Sequence, residues 1–133
     1  MSYLIDTDYV IDYLTGQTAA VAQLRTLRTD GVAISVVTFT EIYEGIYGGR
    51  DPGTAEQGFR AFLAGTRVLG YTRTIAKQTA RIRNDLRSRR RPIDHRALDL
   101  VIAATALTYG LTLITRNTRD YSDISGLQVY QGR

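Results

Sequence analysis

Apolar residues along the chain fall into two alternating kinds of segment. Short apolar runs rich in β-branched residues predict buried strands at residues 3–5, 32–35, 68–71, 111–115 and 127–130. The longer segments between most of them carry apolar residues three and four positions apart, which predicts helices at residues 8–14, 19–29, 37–47, 54–64, 74–89 and 98–109. Strands that alternate with helices in this way predict an α/β fold with a mainly parallel sheet.

Nothing along the chain marks a second domain. The sequence has no low-complexity tract, repeat or linker, and 133 residues suit one domain with its own core. No apolar run approaches the ~18 residues of a membrane span, and the first residues lack the basic region of a signal peptide. We therefore expect residues 1–133 to form a single domain in the cytoplasm, without a membrane partner.

The scarcity of cysteine and histidine excludes several kinds of site. The chain has no cysteine, which excludes disulfides, thiol nucleophiles and thiolate metal sites, and its one histidine, His95, is too few for a histidine-based zinc site. If a metal binds, carboxylates must hold it, and that chemistry suits Mg²⁺ or Mn²⁺.

The chain carries an excess of positive charge, almost all of it on arginine. The net charge is +4, and of the 17 cationic residues only Lys77 is not an arginine. Because the planar guanidinium group matches phosphate, this composition is compatible with a nucleic-acid partner. An arginine-rich genome would produce the same composition, so charge alone leaves both explanations open.

Several acids follow predicted strands, where open α/β sheets place their active sites. Asp6 follows the first strand directly, Glu41 lies early in the helix after the second, and Asp120 follows the fourth, as does the polar Asn117. Asp99 lies in a strongly apolar helix, beside Ile102, Ala103 and Ala106. A buried carboxylate of this kind needs a cation, either an arginine or a metal.

Each acid also has a purely structural interpretation. Asp6 could cap a helix, Glu41 could be a solvated helix residue, Asp99 could favour the helix dipole, and Asp120 could cap a turn. Taken together, however, these acids meet at one end of one sheet. Closely spaced carboxylates repel one another, and one or two divalent cations would relieve that repulsion and could hydrolyse a phosphodiester.

Four segments in this order resemble the PIN-domain ribonucleases, and among them the VapC-type toxins of bacterial toxin–antitoxin pairs. They are LIDTDYVIDYL, ISVVTFTEIYEGI, RRRPIDHRALDLVIAATAL and LTLITRNTRDY, at residues 4–14, 34–46, 89–107 and 111–121. The third contains the D-x-x-I-A-A pattern, which begins at Asp99. The resemblance spans nearly the whole chain.

The resemblance implies a fold, an activity and a set of site residues. The fold would be a PIN-like three-layer α/β/α domain with a mainly parallel sheet of about five strands. The activity would be RNA hydrolysis that requires Mg²⁺ or Mn²⁺ and leaves a 3′ hydroxyl and a 5′ phosphate. Asp6, Glu41 and Asp99 would hold the metal, with Thr115 nearby. Many family members have an aspartate where this chain has Asn117, so either Asn117 or Asp120 would complete the catalytic set.

The resemblance and the basic segment together suggest partners. Arginines at helical spacing predict an RNA-binding face composed of Arg83, Arg87, Arg90 and Arg91, although a solvated helix face would have the same pattern. The resemblance implies transfer RNA as the favoured substrate, a homodimer and a VapB-type antitoxin whose tail lies over the active-site groove. Candidate groove residues, each of which could instead belong to the core, are Leu14, Ile42, Ile46 and Tyr47.

Two further functions remain open on the sequence alone. The first is a nucleic-acid-binding regulator that keeps the fold but cleaves poorly, which the uncharged Asn117 favours slightly. The second is a module that acts only through a protein partner. The three acids Asp6, Glu41 and Asp99 argue against both, because binding alone does not require them.

Overall fold

The computed structural model describes residues 1–131, with six α-helices and four strands in that part of the chain. The strands are β1 (Tyr3–Ile5), β2 (Val32–Ser35), β3 (Thr66–Leu69) and β4 (Thr112–Ile114). The helices are α1 (Thr7–Leu14), α2 (Thr18–Leu27), α3 (Val36–Gly48), α4 (Pro52–Leu63), α5 (Arg73–Ser88) and α6 (Ala97–Tyr109). Short 3₁₀ turns cover Arg28–Asp30 and Thr118–Tyr121.

All strand pairs in the sheet are parallel, in the order β3-β2-β1-β4. The amino-terminal strand β1 is therefore internal, and Tyr3 pairs with Val32 on one side and with Thr112 on the other. Because β1, β2 and β4 are parallel and adjacent, the residues that follow them meet at the carboxyl end of the sheet. The predicted mainly parallel α/β fold is confirmed.

The helices form one layer on each face of the sheet. Neighbouring strand residues point to opposite faces, and Leu4 belongs to a core cluster with residues of α5 and α6, whereas Ile5 belongs to a second cluster with residues of α1 to α4. Both side chains are fully buried. The sheet is thus the middle of three layers, as expected.

The predicted fifth strand is wrong in extent. Residues 127–130 make only one isolated parallel bridge, between Leu113 and Val129. The pairing consists of two backbone hydrogen bonds, from Leu113 N to the Gln128 carbonyl and from Tyr130 N to the Leu113 carbonyl, both 2.8 Å long. The apolar pattern located this segment beside β4, but two hydrogen bonds around one residue do not make a strand.

The other element boundaries lie close to their predicted positions. The predicted strand 32–35 is unchanged, whereas the third strand is Thr66–Leu69 rather than 68–71, because its register with β2 pairs Thr66 with Val32 and Leu69 with Ser35. Tyr71, which the apolar pattern placed in the strand, is 55% exposed beyond its end. None of the helices in residues 1–131 is long and apolar enough to cross a membrane.

Candidate active site

The side chain of Asp6 is buried at the carboxyl end of β1 and is held by three hydrogen bonds. Its Oδ1 accepts from the backbone N–H of Thr7 at 2.8 Å, which caps α1. Its Oδ2 accepts from the hydroxyl of Thr115 at 2.8 Å and from the hydroxyl of Tyr121 at 3.0 Å. The carboxylate thus caps the helix and also lies at the floor of a cleft, with neutral donors as its hydrogen-bond partners.

Glu41 is brought to the same cleft from α3. The hydroxyl of Thr7 donates to Glu41 Oε1 at 2.6 Å and lies 3.0 Å from the hydroxyl of Thr38. Thr7 therefore links two of the acids, because its backbone donates to Asp6 and its side chain donates to Glu41. The local cause is that Asp6 and Ser35 each cap a helix directly after a strand, so α1 and α3 begin side by side.

Asp99 lies in the first turn of α6, partly buried in the cleft. Burial, and then the negative charges of Asp6 and Glu41, raise its pKa from 3.8 to about 6. The charge of nearby Arg96 also acts on Asp99, but its guanidinium group donates to Asp123 at 2.7 and 2.9 Å, and the ion pairs found within residues 1–131 do not include Asp99. Among the described residues, Asp99 therefore has no arginine as an ion-pair partner.

The three acids line one cleft of about 230 Å³. Within residues 1–131, however, no three acidic or histidine side chains stand close enough together to form a ready-made metal cage. This arrangement still fits Mg²⁺ in its donor chemistry, because the available ligands are carboxylate oxygens. Protein-bound Mg²⁺ commonly uses one or two carboxylates and keeps several waters.

Asp8 is a fourth acid of this cleft, and it is not among the acids that the sequence predicts for the site. Its Oδ2 accepts from the side-chain amide of Asn117 at 3.0 Å and from the backbone N–H of Arg116 at 3.2 Å. Burial and the charge of Asp6 raise its pKa, partly offset by the N–H group of Arg116. The available signal was its position two residues after Asp6, in the first turn of the helix that Asp6 caps.

Thr115 and Asn117 also lie at this cleft. The hydroxyl of Thr115 donates to Asp6 and accepts from the backbone N–H of Asn117 at 3.1 Å. The amide of Asn117 is directed to Asp8, so the residue at position 117 holds a carboxylate instead of adding one.

Asp120 and its neighbour Tyr121 face different clefts. Asp120 lines a neighbouring cleft of about 370 Å³ that also includes Asp99, and it does not line the cleft of Asp6. Tyr121 instead points inward, 2% exposed, to donate to Asp6. Burial and the charges of Asp6 and Asp99 raise the pKa of Tyr121, which keeps its hydroxyl protonated as a donor.

The predicted RNA-binding arginines lie on the last turns of α5 and directly after it. Arg83 and Arg87 are on α5, and Arg90 follows the helix with a positive φ of 57°. Arg91 lines the neighbouring cleft with Asp99, where its Nε lies 3.1 Å from Asp123 Oδ2. The ion pairs found within residues 1–131 do not include Arg83, Arg87 or Arg90.

Comparison with known proteins places this site in a family. The PIN domain model matches residues 3–127. The chain is 28% identical over 128 residues to the tRNA(fMet)-specific endonuclease VapC of Shigella flexneri, with 96% of each chain covered. It is 32% identical over 125 residues to ribonuclease VapC19 of Mycobacterium tuberculosis, covering 94% of this chain and 96% of the relative.

A solved structure agrees with these sequence matches. The crystal structure of DNA-bound VapBC from Salmonella typhimurium superimposes with a TM-score of 0.88 at 25% identity, covering 98% of this chain and 97% of the other. The cleft of Asp6, Glu41 and Asp99 lies at the carboxyl ends of the parallel strands of this shared fold. The chain belongs to the PIN-domain family.

Proposed function

We propose that this chain is a toxin endoribonuclease of the VapC type, which hydrolyses RNA phosphodiester bonds with a carboxylate-bound divalent metal. The observation that carries the proposal is the cleft shared by Asp6, Glu41 and Asp99, because none of these three buried or partly buried carboxylates belongs to an ion pair found within residues 1–131. A stable domain gains nothing from such repulsion, whereas a divalent cation relieves it.

Mg²⁺ or Mn²⁺, when bound here, would supply Lewis acidity at the phosphate and lower the pKa of a water molecule. Asp6, Asp99 and Glu41 are the groups that would hold it. Thr115 and Tyr121 fix the orientation of the Asp6 carboxylate through their hydroxyl groups, and Thr7 fixes that of Glu41. These residues keep the oxygens in place before the metal and the RNA arrive.

The substrate that we propose to test first is transfer RNA. The Shigella flexneri relative is named for cleavage of initiator transfer RNA, and the excess of cationic over acidic residues suits a polyanion. Arg83, Arg87, Arg90 and Arg91 remain the predicted RNA-binding set, and Asp120 remains a candidate catalytic acid from the neighbouring cleft.

The proposed protein partner is a VapB-type antitoxin. A groove of about 540 Å³ begins beside Glu41, and its apolar wall includes Ile11, Leu14, Ile42 and Ile46. An apolar groove of this kind suits the apolar face of a peptide, which would then end next to the acidic cleft. Tyr47, the remaining predicted groove residue, lies in a different cleft with Phe39 and Tyr43.

We also propose that residues 1–133 act as a single PIN domain in the cytoplasm and that two copies form a homodimer. One sheet with a helical layer on each face accounts for both core clusters of the described residues.

The experiment that tests the activity is cleavage of total RNA and of purified transfer RNA by the isolated protein. Discrete cuts are expected with Mg²⁺ or Mn²⁺, and none with EDTA or in an Asp6→Ala variant. The matched control is Asp30→Ala, because Asp30 is an exposed acid that precedes β2, at the amino end of the strands and away from the cleft. If neither metal supports cleavage while RNA or antitoxin still binds, the chain is a binding module rather than a nuclease.

A further inference from the structure

A further cleft lies beside the acidic one. It has a volume of about 350 Å³, and its walls include Tyr9 of α1 and Tyr130, which follows β4. Arg116 lines both this cleft and the acidic one. We propose that this cleft, here called the tyrosine cleft, binds one nucleobase of the RNA strand next to the phosphate that is cleaved; the proposal rests on the proposed function.

The ring of Tyr130 is held in place by the protein itself. It packs edge-on against Tyr3 of β1, with 5.9 Å between ring centroids and 88° between planes. Its hydroxyl accepts a hydrogen bond from the side-chain amide of Gln23 at 2.9 Å. Because this ring is already fixed, a nucleobase that stacks on it does not have to immobilise a mobile side chain. The entropic cost of binding is therefore lower.

The floor and edges of the tyrosine cleft also suit a base. Ile114 at its floor is 2% exposed and apolar, and Thr118 and Gln131 supply polar groups at its edges. A nucleobase has the same division, with an apolar face for stacking and a polar rim for hydrogen bonds.

Arg116 can hold the neighbouring phosphate at the boundary between the two clefts. Its Nε lies 3.3 Å from Asp12 Oδ2 and 4.0 Å from Asp8 Oδ2, and its side chain is 60% exposed. The two carboxylates fix the guanidinium group while leaving much of its surface open to an RNA phosphate.

The same ion pairs argue against a cationic peptide as the occupant. Asp8 and Asp12 are paired with Arg116, which neutralises part of their charge, and no acid belongs to the described lining of the tyrosine cleft. An apolar peptide fits better in the larger groove beside Glu41, on the other side of the acidic cleft. The aromatic walls and the arginine together favour a base and its phosphate.

The test uses a ten-nucleotide single-stranded RNA that carries one 2-aminopurine at successive positions. Binding is followed by fluorescence in EDTA, so that the measurement does not depend on cleavage. In the wild-type protein we expect the fluorescence to change strongly at one position. Tyr9→Leu and Tyr130→Leu should each lose that change and weaken binding about tenfold.

Two further variants separate stacking from folding. Tyr9→Phe keeps the ring and should bind RNA as the wild type does. Tyr71→Leu is the matched control, because it removes an exposed tyrosine beyond β3, the edge strand on the opposite side of the sheet from β4. If the leucine variants keep the position-specific signal, or if they lose antitoxin binding while RNA binding is unchanged, the proposal is wrong. An inactive protein that still shows the signal would instead contradict the nuclease function and leave the tyrosine cleft intact.

Discussion

The Asp99 carboxyl should destabilise the metal-free protein at neutral pH, and Asp99→Asn should relieve this. The folded state raises the pKa of this group from 3.8 to about 6. Above pH 6 the folded protein must hold a charge that its surroundings disfavour, so this group lowers the free energy of unfolding. Below about pH 3.8 the group is protonated in both states and has no effect. The contribution of the Asp99 carboxyl group to the free energy of unfolding therefore falls as the pH rises from about 4 to 6.

The size of the effect follows from the pKa. A displacement from 3.8 to about 6 corresponds to about 3 kcal/mol at most. The side chain is partly exposed, and solvent screens the repulsion, so we expect about 1–2 kcal/mol. For a domain of this length that is a rise in melting temperature of about 3–8 °C.

The assay is thermal unfolding of wild type and Asp99→Asn in EDTA at pH 4 and pH 8, repeated with Mg²⁺. The variant should be more stable at pH 8, equal at pH 4, and less stabilised by Mg²⁺ than the wild type. Asp30→Asn, an exposed acid far from the cleft, should change nothing in any condition. A variant that is no more stable than the wild type at pH 8 would refute the repulsion, and equal stabilisation by Mg²⁺ would remove Asp99 from the metal site.

Three other predictions concern the neighbours of the acids. Tyr121→Phe removes a buried hydrogen-bond donor to Asp6 and should lower the free energy of unfolding by about 1.5–3 kcal/mol. Urea denaturation in EDTA would detect this loss. An unchanged midpoint would show that the hydrogen bond contributes nothing to stability. Asn117→Asp replaces an amide 3.0 Å from Asp8 by a second carboxylate. The variant should have a lower melting temperature in EDTA and should gain more stability from Mg²⁺ than the wild type. An unchanged melting temperature in EDTA would contradict the pairing of Asn117 with Asp8. The last prediction is that alanine at three arginines weakens RNA binding and reduces its dependence on salt, measured by filter binding from 50 to 200 mM salt; an unaltered slope would place the RNA elsewhere. These arginines are Arg87, Arg90 and Arg91.

The fold was predictable because its signals are local. Most of the helices carry an apolar stripe with a period close to 3.6, α6 is apolar on nearly all faces, and most of the strands are short apolar runs, so these signals do not depend on distant residues. The parallel order then follows from the alternation of strands and helices. Residues 127–130 have the right composition for a strand, but whether they pair beyond Val129 depends on the geometry of β4, which no local pattern contains.

The site was predictable only in part, for a related reason. The sequence brings Asp6 and Glu41 together because both follow strands of one parallel sheet. It does not show which face of the 3₁₀ turn Thr118–Tyr121 points inward, and that turn directs Tyr121 to Asp6 while Asp120 faces the next cleft. The partner of Asp8 lies 109 positions away at Asn117, so its place in the site depends on tertiary packing.

The strand order has a consequence for synthesis of the chain. The first strand made, β1, takes its second neighbour from the last, β4, and Asp6 receives donors from Thr115 and Tyr121 near the far end of the sequence. A nascent chain still held in the ribosome at residue 110 therefore has its amino-terminal acids but not the strand and hydroxyl groups that complete their cleft. Contacts between such distant residues form late. For an endoribonuclease, this order delays completion of the cleft until residues 112–121 have left the ribosome.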